Sequence, residues 1–246
     1  MARRRANSRE SAPADVAVEL RLRDPRDIDW AHSAEGWLVV YDPAAVSDRV
    51  FEDLTAVGGR VLDEALGWIA GTRMGIPLDQ EHTMPRPRRE RSEAARRLAQ
   101  LVRLAWERSL MPLGCLVAWN GVDIRFTAAG LTAEERREQQ AGGRRQRGLT
   151  TLQSPRRGWI TARGSRLAVT WGFLLGFTPR QKGEFFLPGY QAEFSWPSGD
   201  YQASAWIFEP EEEESSEMPV DQLVVQLARV APEAVADERS RESNWR

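Results

Sequence analysis

The residues in this chain best equipped for chemistry are its arginines: of 34 basic side chains only Lys182 is a lysine. A guanidinium presents a planar fork that grips phosphate or carboxylate bidentately and stacks on flat rings, which an ammonium cannot do. The arginines are also unevenly placed. From Met84 to Lys182 there are 20 basic residues against 7 acidic ones, a net charge of +13, although the whole chain carries only -2. Within that segment they cluster at Arg86-Pro87-Arg88-Arg89, Arg144-Arg145-Gln146-Arg147 and Arg156-Arg157, and at Arg163 and Arg166 on either side of Gly164-Ser165. Like charges flanking a two-residue turn repel each other, so an anion bridging them would stabilise the tip. Trp159 follows Pro155-Arg156-Arg157-Gly158 and is placed to stack a base beside a phosphate clamp.

These residues predict a nucleic-acid site made of Arg144, Arg145, Arg147, Arg156, Arg157, Trp159, Arg163 and Arg166. Two other readings stay open. The arginines are also what a GC-rich genome would encode on solvated faces balanced by the acidic flanks, and interfaces with an acidic protein partner enrich Arg and Trp as well. The run Glu211 to Glu214 could compete with phosphate for the basic segment from within the same chain.

Catalytic patterns are scarce. There is no Gly-rich phosphate loop ending in Lys-Ser or Lys-Thr, no dinucleotide fingerprint and no Gly-x-Ser-x-Gly elbow. Asp79-Gln80-Glu81-His82 crowds three ligand types into four positions of a loop, where adjacent side chains cannot all face one ion. His32, between Trp30 and Trp37, reads as a strand-end or core histidine, and Cys115 as an inert thiol in an apolar strand. A metal nuclease pairs a strand carboxylate with a Glu-x-Lys; Asp123 supplies the first part, but position 180 before Lys182 is Arg. Convergence of Asp123, Glu184 and Glu193 would be the remaining route. No metal and no cofactor are expected.

The elements that must hold these groups follow from periodicity. Val16, Val18, Leu20 and Leu22 alternate with Ala17, Glu19 and Arg21, a half-buried strand; Trp37 to Tyr41 is a second strand ending at Asp42-Pro43. Val46, Val50, Leu54, Val57, Val61, Leu62, Leu66 and Ile69 form the stripe of a helix over 44 to 70, which Gly58-Gly59 kinks or splits. A second helix is predicted from Ser92 to Leu110. Three hairpins are predicted: Cys115–Trp119 with Val122–Phe126 through Asn120-Gly121, Trp159–Arg163 with Arg166–Trp171 through Gly164-Ser165, and Tyr190–Trp196 with Tyr201–Phe208. Thr132 and Glu135 resemble a capping box opening a short polar helix. Val220 to Val230 is expected to be a closing helix.

The expected fold is therefore α+β, with an antiparallel sheet built from hairpins and helices packed on one face. Residues 15 to 235 would form one domain with an exposed loop near 76–91 and an acidic loop at 209–218, between a disordered basic arm (1–14) and a disordered tail (236–246). The arm lacks the apolar stretch of a secretory signal, and no run approaches a membrane span, so a cytoplasmic protein without membrane contact is expected. The functional expectation is a non-enzymatic binding or assembly subunit contacting nucleic-acid phosphates.

Overall fold

Arg166–Trp171 is a strand in which every residue from Leu167 to Trp171 is buried, whichever way its side chain points. A strand buried on both faces belongs to a middle layer, and the rest of the architecture follows from that. The computed structural model describes residues 16–24, 35–55, 59–74, 92–117, 121–142, 156–175, 189–208, 220–231 and 233–234. Along the chain these form β1 (Ala17–Leu22), β2 (Glu35–Tyr41), α1 (Asp48–Thr55), α2 (Gly59–Met74), α3 (Ser92–Trp106), β3 (Leu110–Val117), β4 (Val122–Thr127), α4 (Ala133–Gly142), β5 (Arg156–Ala162), β6 (Arg166–Trp171), a 3-10 turn at Gly172–Leu174, β7 (Gln191–Ser195), β8 (Gly199–Phe208) and β9 (Asp221–Arg229).

The strands make two sheets, ordered β1-β4-β9-β8-β5 and β3-β2-β6-β7. Pairing is antiparallel throughout the described residues except between β4 and β9. The sheets face each other across one core. Leu22, Ile124, Phe126, Ile160, Tyr201, Ala203, Val225 and Leu227 of the five-stranded sheet meet Leu38, Val40, Leu113, Leu167, Val169, Trp171 and Phe194 of the four-stranded one. Trp171 has no exposed surface, and its indole N–H donates to the Arg23 carbonyl at 3.1 Å, so burying the ring leaves no orphaned donor.

The other face of the four-stranded sheet carries Trp37, Val39, Tyr41 and Ala168, which pack beneath Leu54, Leu62, Leu66, Ile69, Leu101 and Leu104 of α1, α2 and α3. The predicted long helix is described as α1 and α2, and the residues between them, 56–58, lie outside the described residues; Asp53 of α1 accepts a hydrogen bond from Gln100 of α3 with Arg97 4.0 Å away. The helices are not confined to one face. Leu131, at the entry to α4, joins Phe208 and Val224 on the outer side of the five-stranded sheet, and Arg125 of β4 is ion-paired with Glu135 of α4.

The three predicted hairpins are not hairpins. β3 pairs with β2 while β4 pairs with β1 and β9; β5 pairs with β8 while β6 pairs with β2 and β7; β7 pairs with β6 while β8 pairs with β5 and β9. Each turn is a corner at which the chain passes from one sheet to the other. Two interior-facing strands joined by a corner bury the same alternation as two strands of a hairpin, so the pattern alone does not separate them. The expected closing helix is strand β9. Val220, Leu223, Val224 and Leu227 fit a helical stripe, but Leu223, Val225 and Leu227 enter the core while Val224 faces Leu131 and Phe208, the two-sided division of a strand. The arm, the tail and the loops at 76–91 and 209–218 lie outside the described residues.

Candidate nucleic-acid interface

β5 is the last strand of its sheet, hydrogen-bonded to a neighbour strand only through β8. It opens with two of the predicted site residues, Arg156 and Arg157, whose Cα partners are Ala205 and Ser204. Their side chains, and Arg144, Arg145 and Arg147 altogether, lie outside the described residues. Further along, the turn between α3 and β3 closes on the same edge: the Thr161 N–H donates to the Arg108 carbonyl at 2.7 Å. Arg108 has φ 60° and is 1% exposed, with its guanidinium 4.8 Å from the centre of the Trp159 ring. Trp159 is thus half-buried with a cation against its ring, an attraction that strengthens as water is excluded. At Gly158 an added Cβ would lie 2.8 Å from Met111 Sδ, so glycine is what lets β5 approach β3 this closely.

Arg163 and Arg166 flank the corner between β5 and β6, and each has an acidic partner. The Arg163 N–H donates to Asp42 Oδ2 at 2.9 Å, and its guanidinium donates to Ser109 Oγ and lies 3.7 Å from the same carboxylate. Arg166 lies 3.8 Å from Glu193 across the β6–β7 pair. The repulsion expected at this tip is thereby offset from within the chain.

The outer side of the five-stranded sheet brings forward residues that the sequence reading passed over. Along β8, Tyr201, Ala203 and Ala205 point into the core, leaving Gln202 exposed and Ser204 and Trp206 half-buried on the outer side. Register sets Trp159 of β5 and Ala228 of β9 beside Gln202, Arg157 and Gln226 beside Ser204, and Val224 beside Trp206. The strict alternation of Tyr201 to Phe208 was the available signal, masked by attention to charge.

α4 bounds this strip. The Glu135 N–H donates to Thr132 Oγ1 at 3.2 Å while Glu135 Oε2 accepts the Thr132 N–H at 2.6 Å, the expected capping box. Burial pushes the Glu135 carboxyl up, but the Thr132 and Arg125 hydrogen bonds and the Arg125 charge outweigh it and hold the carboxyl below its usual range. Gln226 donates to the Ala128 carbonyl at 3.4 Å, which fixes the loop leading into the helix.

Two of the candidate catalytic carboxylates, Asp123 and Glu193, do not converge. Asp123 is on the outer side of the five-stranded sheet, 3.8 Å from Arg21. Glu193 is on the outer side of the other sheet, with the core between them. Glu184, Lys182, His32 and the Asp79 to His82 cluster lie outside the described residues, as does the Cys115 side chain. Among the described residues no group of three or more His, Cys, Asp or Glu could hold a metal ion. One acid does stand in an unusual setting: Asp63 of α2 is lodged against Gly172, and burial raises its carboxyl to about 7 despite a hydrogen bond from the Trp37 backbone. Among the described residues no helix is long and apolar enough to cross a membrane.

No protein-family model matches the sequence, and no curated protein matches it. Among solved structures the chain is similar to one described as "Crocagin biosynthetic gene J", at 11% identity over 85% of this chain and 94% of that one, with a TM-score of 0.32.

Proposed function

We propose that the chain is a non-enzymatic binding or assembly subunit of the cytoplasm that contacts nucleic-acid phosphates at the start of β5. The observation that supports this reading is the position of Arg156 and Arg157: they open a strand that ends its sheet, ahead of the stretch from Gly158 to Thr161 where β3 and the Arg108 turn pack against the same strand. Arg144, Arg145 and Arg147 precede the same strand in the most basic part of the chain and extend the phosphate contacts. Arg163 and Arg166, with acids already beside them, contribute less.

The test is a binding titration with labelled RNA and DNA at several salt concentrations. Each phosphate contact releases condensed counterions, giving a log-log slope of about -0.7 per contact for a single strand and about -0.9 for a duplex. Arg156→Ala with Arg157→Ala should flatten the slope by one to two contacts. An unchanged slope and affinity would remove both residues from the site.

A second reading, recognition of a protein partner, is favoured by the helical layer. Trp68 of α2 and Trp106 of α3 stack at 5.9 Å with 14° between their planes. Both are only partly buried, beside a groove of about 290 Å³ lined by Ala99, Val102, Arg103, Trp106 and Glu107. Interfaces draw on such aromatics as anchors. Pull-down after nuclease treatment separates the readings, because a protein partner survives removal of nucleic acid. The nuclease reading has least support, since Asp123 and Glu193 stand on opposite sides of the sandwich.

A further inference from the structure

We infer that the ligand at this face is a single strand with unpaired bases, and that Gln202, Ser204 and Trp206 on the outer side of β8 contact those bases. The inference rests on the proposed phosphate contacts at the β5 edge and adds what lies inward of them.

Two features of the strip carry it. The first is its lack of charge. From Gln202 to Trp206 on β8 and from Gln222 to Ala228 on β9, the outward residues are Gln202, Ser204, Trp206, Gln222, Val224, Gln226 and Ala228, without a single ionised group. Such a surface does not compete for phosphate. The Gln202 amide and the Ser204 hydroxyl each donate and accept, as the Watson–Crick edges of bases require, and neither carries a charge.

The second feature is the position of the two indoles. Trp159 stands beside Gln202, and Trp206 is four residues further along β8, roughly 13 Å away at about 3.3 Å per residue. An aromatic side chain at each end, with hydrogen-bonding groups between, suits successive bases laid along the strand. Arg157, beside Ser204 in register, then stands alongside, where the backbone of such a strand would run. In a duplex the base faces are stacked and their Watson–Crick edges paired, so the indoles would find no open ring and the amide only a groove edge. α4, anchored through Leu131 and Glu135, closes the far side of the strip, and the approach is from the start of β5, ahead of the Arg108 turn at Thr161.

The experiment uses the full chain and short labelled oligonucleotides of one sequence, single-stranded and duplex, read by fluorescence anisotropy. Single strands should bind about tenfold more tightly than the duplex, and Gln202→Ala with Ser204→Ala should weaken single-strand binding about tenfold with the salt slope unchanged, because no phosphate contact is lost. Trp206→Leu should act in the same direction; if it disturbs folding, the exposed Gln202→Ala variant alone still decides the matter. Equal binding of duplex and single strand, or full affinity in the Gln202 and Ser204 variants while the Arg156 and Arg157 variants still flatten the slope, overturns this inference and leaves the phosphate reading standing. No binding of either oligonucleotide at low salt overturns both. A poly-glutamate peptide that binds with the same dependence on Gln202 and Ser204 would assign the face to a protein ligand instead.

Discussion

Arg163 and Asp42 are 121 positions apart in the chain, yet the Arg163 N–H donates to Asp42 Oδ2 at 2.9 Å and the Asp42 side chain has no exposed surface. Asp42 also accepts the Ala44 N–H at 3.0 Å. One carboxylate therefore ties the end of β2, the turn after it and the corner between β5 and β6. Asp42→Ala removes both acceptors at once and leaves two backbone donors short of partners, at a cost of about 2 to 4 kcal/mol. Arg163→Ala should cost only about 1 kcal/mol, because its guanidinium is 44% exposed and the backbone hydrogen bond survives. Urea denaturation of the two variants checks the order, and a larger loss for Arg163→Ala would refute it.

Gly172 begins the 3-10 turn directly after β6, in contact with α2. A Cβ there would come within 2.3 Å of Leu66 Cδ1, 2.7 Å of Asp63 Oδ1 and 3.2 Å of the Trp37 carbonyl oxygen. Two side chains of α2 and the backbone of β2 would have to move for one methyl group. Gly172→Ala should destabilise the fold by about 1 to 3 kcal/mol, seen as a lower denaturation midpoint with an unchanged slope.

Asp63 makes stability depend on pH. Its folded-state pKa, about 7, lies above the value near 3.9 of an unfolded aspartate. The folded state thus binds the proton more tightly, so the contribution of Asp63 is fully present below about pH 4 and is lost as pH rises through 7. Asp63→Asn keeps an acceptor for the Trp37 N–H and never ionises. Its thermal midpoint should exceed that of the parent at pH 8 and approach it at pH 4.5. Parallel melting curves across this range would remove Asp63 as the source.

Glu135 works in the opposite direction. With its carboxyl held below the ordinary range, its contribution is present above about pH 4.5 and is lost as pH falls through the folded-state value. Thr132→Ala removes one half of the capping box and should cost about 1 kcal/mol, concentrated in α4. Hydrogen exchange should report faster exchange in α4 with the β-sheet amides unchanged. Uniform acceleration would mean that α4 unfolds only with the whole domain.

Local signals in the sequence anticipated the local structure. The alternation in Val16 to Leu22, the stripe of α3 and the Thr132/Glu135 cap depend on groups within a few positions of one another, and each appears as expected. The +13 segment and the Arg156-Arg157 pair were likewise legible, because charge needs no fold to be counted. Partners were not. Gly164-Ser165 and Pro197 to Asp200 do fall between strands, but whether the chain returns beside its own strand or crosses to a second sheet depends on which surfaces remain to be buried. Here Leu167, Val169 and Trp171 needed one sheet, Ala168 and Thr170 needed the helices, and the chain turned corners to provide both. For the same reason β9 carries a helical pattern in a strand: its inward and outward apolar residues meet two separate clusters that exist only after the sheets have packed. The uncharged strip of Gln202, Ser204 and Trp206 is a tertiary result as well. Its residues come from an ordinary alternating strand, and only the register with β5 sets them beside Arg157 and Trp159.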